Sequence, residues 1–230
     1  MKVVILAAGR GTRMKELSKN TPKPLLNINN KPKLAYTVEQ LPDSIDEVVF
    51  VVGYLGNQIR DYFGDSYNDK KITYVEQNEL NGTGGAVMLA KDVVGNSKFL
   101  VLMGDDLYFK KDLEKMFEYD FSALAYKVDD AKNYAVVKMD SEGYLENVIE
   151  TPHNEISGFA NTGAYVLSPE FFGWKLVPKS PGSAEFGLPQ TLAENKGDIK
   201  IKVIKTDKWF PIGTPEALEE AHGIIDKFVL

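Results

Sequence analysis

The 230-residue chain contains no cysteine, which excludes disulfides, thiolate metal sites and a cysteine nucleophile. Its two histidines, His153 and His222, stand far apart in sequence, and neither is expected to act in catalysis. An excess of basic charge is also missing. There are 27 lysines and arginines against 33 acidic residues, a net charge of −6. That balance argues against a broad nucleic-acid or anionic-membrane surface. Long hydrophobic runs are absent: the opening segment is only briefly apolar before Arg10 and Arg13, too short for a signal peptide or a membrane span. The expected compartment is therefore the cytoplasm. No repeat, low-complexity tract or linker divides the chain, so residues 1–230 are expected to form a single domain with a substantial core.

Two common phosphate-binding signatures are missing as well. A dinucleotide loop beginning at Gly9 needs a third glycine at position 14, which is Met14. A nucleotide-hydrolase loop needs Gly-Lys-Ser/Thr after four spacer residues, and the chain has none.

What the chain does have is a β-branched apolar run, Val3-Val4-Ile5-Leu6, entering Ala7-Ala8-Gly9-Arg10-Gly11-Thr12-Arg13, with Pro22-Lys23-Pro24 close behind. The run suits a buried parallel strand. Glycines at 9 and 11 let the backbone turn sharply, and the amide groups freed by such a turn converge on anions. With Arg13 and Lys23 on the same loop, the arrangement is that of a polyphosphate site rather than an ordinary turn.

Further strand-like runs at 47–52, 72–75 and 99–103 alternate with helical segments at 34–41, 55–63 and 85–94, a βαβαβαβ pattern. It predicts an α/β fold with a mainly parallel sheet flanked by helices. Beyond residue 120, strands at 122–128, 135–139, 144–150 and 160–167 follow with few helices between them, which predicts antiparallel or mixed additions. Helices at 185–195 and 215–228 and a strand at 201–204 close the chain. The last helix is acidic and reads as a solvated face, with an oligomer contact left open.

Asp105 and Asp106 end the run 99–103, at the sheet edge where open α/β sheets bind ligands. A carboxylate there suits Mg²⁺, which takes one or two protein carboxylates and completes its shell with phosphate oxygens and water. An Asp-Asp turn that merely ends a strand is the plainer alternative. Gln77, before Asn81-Gly82-Thr83-Gly84-Gly85-Ala86, has an amide that can read a base edge, and the glycines admit a flat ring. The tyrosine-rich segment 54–74 reads as packing.

These segments, with Val101-Leu102-Met103-Gly104-Asp105, Asn161-Thr162-Gly163-Ala164-Tyr165 and Ile212-Gly213-Thr214-Pro215-Glu216, resemble the sugar-1-phosphate nucleotidyltransferases, such as glucose-1-phosphate thymidylyl- and uridylyltransferases, over nearly the whole chain. The resemblance implies a Rossmann-like, GT-A-like fold in a short form without a C-terminal extension. Residues 1–120 would be the nucleotide half and 121–230 the sugar-phosphate half. It implies a nucleotide site of Leu6, Ala7, Ala8, Gly9, Gly11, Thr12, Gln77, Gly82 and Thr83. Arg13 and Lys23 would hold the triphosphate and Asp105 the Mg²⁺, while Ala135, Glu150 and Asn161 would serve the sugar phosphate. The expected reaction transfers a nucleotidyl group from UTP or dTTP to a sugar 1-phosphate by direct displacement.

Three positions depart from the family pattern: Ala135 for a glycine, Thr151 for a lysine that neutralises the sugar phosphate, and Pro211 for the second metal-binding aspartate. Asp106 and Asp207 are the candidate replacements for that ligand. The departures leave two alternatives open, an unusual acceptor such as phosphocholine with CTP, and a regulatory protein that binds nucleotide without turnover.

Overall fold

The computed structural model describes residues 1–229. Strand β1 (Lys2–Ala7) leads into a loop with short 3-10 turns, a small hairpin of β2 (Asn27–Ile28) and β3 (Lys31–Pro32), and helix α1 (Lys33–Glu39). Next come β4 (Glu47–Val52), α2 (Gly56–Phe63), β5 (Ser66–Tyr67), β6 (Lys70–Glu76), α3 (Gly82–Met88), α4 (Lys91–Val94), β7 (Phe99–Met103), β8 (Asp106–Tyr108) and α5 (Lys110–Met116). The second half contains β9 (Ser122–Val128), β10 (Val136–Met139), β11 (Leu145–Ile149), β12 (Gly158–Leu167), α6 (Leu188–Asn195), β13 (Lys202–Thr206), β14 (Trp209–Pro211) and α7 (Pro215–Ile224).

Ten strands form one sheet in the order β11-β10-β12-β7-β1-β4-β6-β5, with β9 paired to β12 and β13 to β9. Strands β6, β4, β1 and β7 run parallel, and β12 then pairs antiparallel with β7. The expected mainly parallel, Rossmann-like sheet with antiparallel additions is the fold observed. Alternation along β1 sorts the core: Val3, Ile5 and Ala7 pack on one face with α1, α2 and α5, while Val4 packs on the other with α3, α4 and α6. Because β1 lies between β4 and β7, the chain order reverses there, and the loops leaving β1 and β7 flank a crevice.

A third apolar cluster matters most for the site. Met14, Ile28, Leu107 and Ile212 pack against Leu218, Ala221, Ile225 and Phe228 at the end of the chain. Met14 is fully buried there, and such burial contributes about 1.5–3 kcal/mol, so the residue that breaks the dinucleotide signature anchors the loop instead. Thr214 caps α7, its hydroxyl accepting from the Ala217 amide at 3.3 Å, with Pro215 as the first helical residue.

Some elements differ from expectation. The helix at 85–94 is two pieces, and the last one ends at Ile224 before a 3-10 turn. Strands β8 and β14 pair across some hundred residues and α5 fills 110–116, none of which the patterning had suggested. Leu113, Met116 and Phe117 at helical spacing were the signal for α5. The aromatic segment 54–74 is packing, as expected: Phe63 lies 4.9 Å from the rings of both Phe50 and Tyr67.

Candidate active site

Two cavities meet at the crevice and share Leu6, Gly9, Gly11 and Thr12 on the loop after β1. The larger, about 560 Å³, extends from Gln77, Gly82 and Thr83 past Ala8 to Glu150, Asn161 and Tyr165. The smaller, about 260 Å³, is walled by Ala7, Arg13, Lys23 and Asp105. The structure thus brings together every residue expected at the site except Ala135, which stands behind the wall. Its carbonyl accepts from the Asn161 amide at 2.8 Å and its side chain packs in the core.

The phosphate loop is held tightly. Gly11 has φ +63°, and a Cβ on it would come within 2.8 Å of the Lys23 Cβ, so only glycine lets the two segments approach. Lys23 is buried and its ammonium contacts the Asp105 carboxylate. Arg13 is exposed, without an ion pair among the described residues, and its guanidinium lies beside Gly213.

Behind Asp105 lies a residue the sequence reading passed over. Lys33, in the first turn of α1, is 1% exposed and donates to the Ile212 carbonyl at 3.3 Å. Burial depresses it to about 7; Asp105 and Asp106 oppose that shift, and Lys23 adds to it. Burial also disfavours the Asp105 anion, yet Lys23 and Lys33 together hold that carboxyl below the usual carboxylate range. Asp106 behaves oppositely: burial, then the Asp105 charge, push it well up despite a 3.0 Å hydrogen bond from the Trp209 indole.

That hydrogen bond turns Asp106 away from the crevice, and Asp207 is exposed with its charge towards Lys115. Pro211 sits directly across the β8–β14 ladder from Asp106, while the Ile212 amide donates to the Asp105 carbonyl at 3.1 Å. Among the described residues no group of three or more His, Cys, Asp or Glu side chains could hold a metal. Of the described residues, Asp105 alone offers a carboxylate to the smaller cavity. That donor set fits an ion such as Mg²⁺ that takes most of its shell from substrate phosphates and water.

At the other end, Gln77 donates through Nε2 to the Asn81 side-chain oxygen at 3.0 Å and to the Gly82 carbonyl at 3.3 Å, leaving Oε1 for a ligand. Gly85 makes this possible, because a Cβ there would lie 2.0 Å from the Asn81 oxygen. A register shift in β12 between Asn161 and Tyr165 re-aims Asn161. Its side-chain oxygen accepts from the Tyr165 hydroxyl at 2.7 Å and the Gly163 amide at 3.3 Å, so Nδ2 is the free donor. The histidines are accounted for elsewhere: His153 contacts the Tyr134 carbonyl and His222 contacts Asn29.

The profile of the nucleotidyl transferase family matches residues 2–227. The chain belongs to the nucleotidyl transferase family. Among relatives of this nucleotidyltransferase, the bifunctional protein GlmU of Methanocaldococcus jannaschii is 35% identical over 99% of the chain; the chain spans only 55% of that protein. A UTP–glucose-1-phosphate uridylyltransferase, AglF of Haloferax volcanii, is 32% identical, covering 96% of the chain and 95% of the relative. The crystal structure of HddC from Yersinia pseudotuberculosis superposes with a TM-score of 0.76 at 29% identity, covering 97% of this chain and 99% of that one. A UDP-glucose pyrophosphorylase complexed with UDP-glucose shares the fold, with a TM-score of 0.83 at 23% identity over 98% of each chain. No helix among the described residues is long and apolar enough to cross a membrane.

Proposed function

We propose that this nucleotidyltransferase transfers a nucleotidyl group from UTP or dTTP to a sugar 1-phosphate, releasing pyrophosphate. One observation carries the reading. A continuous cleft runs across the switch point, from a base-reading amide, past a loop with two cations and a carboxylate, to a polar far wall. Residues 1–120 would hold the nucleotide, and the part beyond them most of the acceptor.

The Gln77 side chain supports the choice of base. Its amide hydrogens are engaged, so it meets a ligand as an acceptor, which suits the imide N–H of uracil or thymine and not the unprotonated ring nitrogen of cytosine. The full-length likeness to AglF, named for UTP and glucose 1-phosphate, supports the same donor and a hexose phosphate acceptor.

The chemistry needs positioning and charge rather than a protein nucleophile. On triphosphate binding, Lys23 would pass from Asp105 to the α-phosphate, where charge develops, and Arg13 would neutralise the β- and γ-phosphates. An acceptor phosphate oxygen attacks the α-phosphorus in line, the bond to the αβ-bridging oxygen breaks, and pyrophosphate leaves carrying its charge. Asp105 would hold Mg²⁺, which when bound supplies further positive charge to the phosphates.

Pyrophosphate release tests the proposal, measured for UTP, dTTP, CTP, GTP and ATP, each with glucose 1-phosphate, N-acetylglucosamine 1-phosphate and phosphocholine. Turnover is expected with UTP or dTTP and a sugar phosphate. Turnover confined to CTP and phosphocholine, or nucleotide binding without any turnover, overturns it.

A further inference from the structure

The far wall of the larger cavity is a hairpin, residues 178–186, that no motif marks. Pro178 and Phe186 pair across it, the Lys179 amide donates to the Glu185 carbonyl at 2.8 Å, and the Gly187 amide donates to the Val177 carbonyl at 3.0 Å. Its root is clamped to the start of α3. The Phe186 amide donates to the Asn81 carbonyl at 2.7 Å, the Gly84 amide to the Phe186 carbonyl at 2.9 Å, and the Leu188 amide to the Thr83 hydroxyl at 3.0 Å. Gly82, with φ +93°, is required by this contact, since a Cβ on it would lie 2.4 Å from the Phe186 oxygen. The turn that presents Gln77 therefore also fixes the hairpin.

The charges along the cleft then assign the hairpin a role. Two anions must meet there, and a phosphate monoester is largely dianionic at neutral pH. Arg13 and Lys23 line the smaller cavity, and Arg10 stands on the same loop. Opposite them Glu150 and Asn161 offer oxygen and amide groups but no cation. Thr151 is exposed, with its amide donating to the Glu150 carboxylate at 3.2 Å. Among the described residues Lys179 is the one cation lining the cleft outside the phosphate loop, and it makes no ion pair.

We propose that Lys179, carried on the hairpin across the cavity from Glu150, binds the acceptor phosphate, with the acceptor's hydroxyl groups directed to Glu150 and Asn161. The inference rests on the function proposed above.

The test compares wild type, Lys179→Met and Lys179→Arg by initial rates with UTP and glucose 1-phosphate, and by calorimetric binding of UTP and of UDP-glucose. The β-phosphate of UDP-glucose stands for the acceptor phosphate. Lys179→Met should raise KM for glucose 1-phosphate by about 10- to 100-fold, the range for losing a charged hydrogen bond. It should weaken UDP-glucose binding by about as much, while UTP binding changes by less than about twofold. Lys179→Arg should stay within about threefold of wild type throughout. An unchanged acceptor KM, or equal losses for UTP and UDP-glucose, overturns the assignment. If wild type binds UDP-glucose but turns nothing over, the proposed function fails and the binding comparison alone decides Lys179. If wild type binds neither these ligands nor dTTP and dTDP-glucose, both proposals fall.

Discussion

Lys33→Met is the sharpest physical test of the site's charge balance, because it replaces a fully buried ammonium by an apolar side chain of similar length. The depression of Lys33 from 10.5 to about 7 corresponds to about 5 kcal/mol against its charged form. The unfolded chain keeps that proton up to about pH 10.5, whereas the folded protein sheds it from about pH 7. Between those values the unfolded state binds more protons, so wild-type stability rises with pH. With a limiting slope of about 1.4 kcal/mol per pH unit, this site should add about 2 kcal/mol between pH 7 and 9. Methionine does not titrate. At pH 7 the variant escapes the buried charge but loses the hydrogen bond to the Ile212 carbonyl and a countercharge for Asp105 and Asp106. The net expectation is a variant about 1–3 kcal/mol more stable than wild type at pH 7, with the gap shrinking by about 2 kcal/mol at pH 9. Urea denaturation of both proteins at the two pH values reads this directly. A variant several kcal/mol less stable at pH 7, or a gap that widens with pH, refutes the reasoning and makes Lys33 a permanent cation paired with the carboxylates.

Arg13→Ala should lower turnover on the order of 10²- to 10³-fold, as losses of preorganised charge do, while leaving the thermal midpoint almost unmoved, since the side chain is exposed and makes no ion pair among the described residues. A wild-type rate would remove Arg13 from the mechanism. Asp105→Asn should abolish metal-dependent turnover yet retain UTP binding measured without metal. The same loss from Asp106→Asn instead would transfer the role to Asp106. Pro211→Asp adds a carboxylate across the ladder from Asp106 and next to Ile212, whose amide donates to the Asp105 carbonyl, so it should melt earlier than wild type in chelator, recover on adding Mg²⁺, and reach half-maximal rate at lower Mg²⁺. An unchanged Mg²⁺ requirement would mean that position 211 does not face the metal.

Much of the site was legible because its chemistry is local in sequence. Strand β1, the glycines after it, Arg13 and Lys23 fall within about twenty residues, and the crevice beside β1 follows from the βαβ order alone. Asp105 was legible for a similar reason, standing at the end of a central strand. Position along the strand does not separate the two neighbouring aspartates, and it was the family resemblance that assigned the metal to Asp105. Only the Trp209 indole, arriving on β14, turns Asp106 inward and leaves Asp105 to the cavity. Lys33 drew no reading, because nothing local announces that its ammonium is buried against the Ile212 carbonyl.

The glycine run at 82–85 shows the division most plainly. Read along the chain, it makes room for a flat ring. In space Gly82 admits the Phe186 backbone and Gly85 admits the Asn81 carboxamide, and through them the cleft acquires the hairpin with Lys179. The amino-acid sequence by itself determined the sheet, the phosphate loop and the carboxylate at its edge, because periodicity and turn chemistry act over a few residues. The tertiary structure alone decided how Asp106 is turned from the cavity, which lysine is buried and which cation stands opposite Glu150. Those outcomes depend on contacts between segments roughly a hundred or more residues apart, whose energies of burial and hydrogen bonding exist only once the sheet has brought them together.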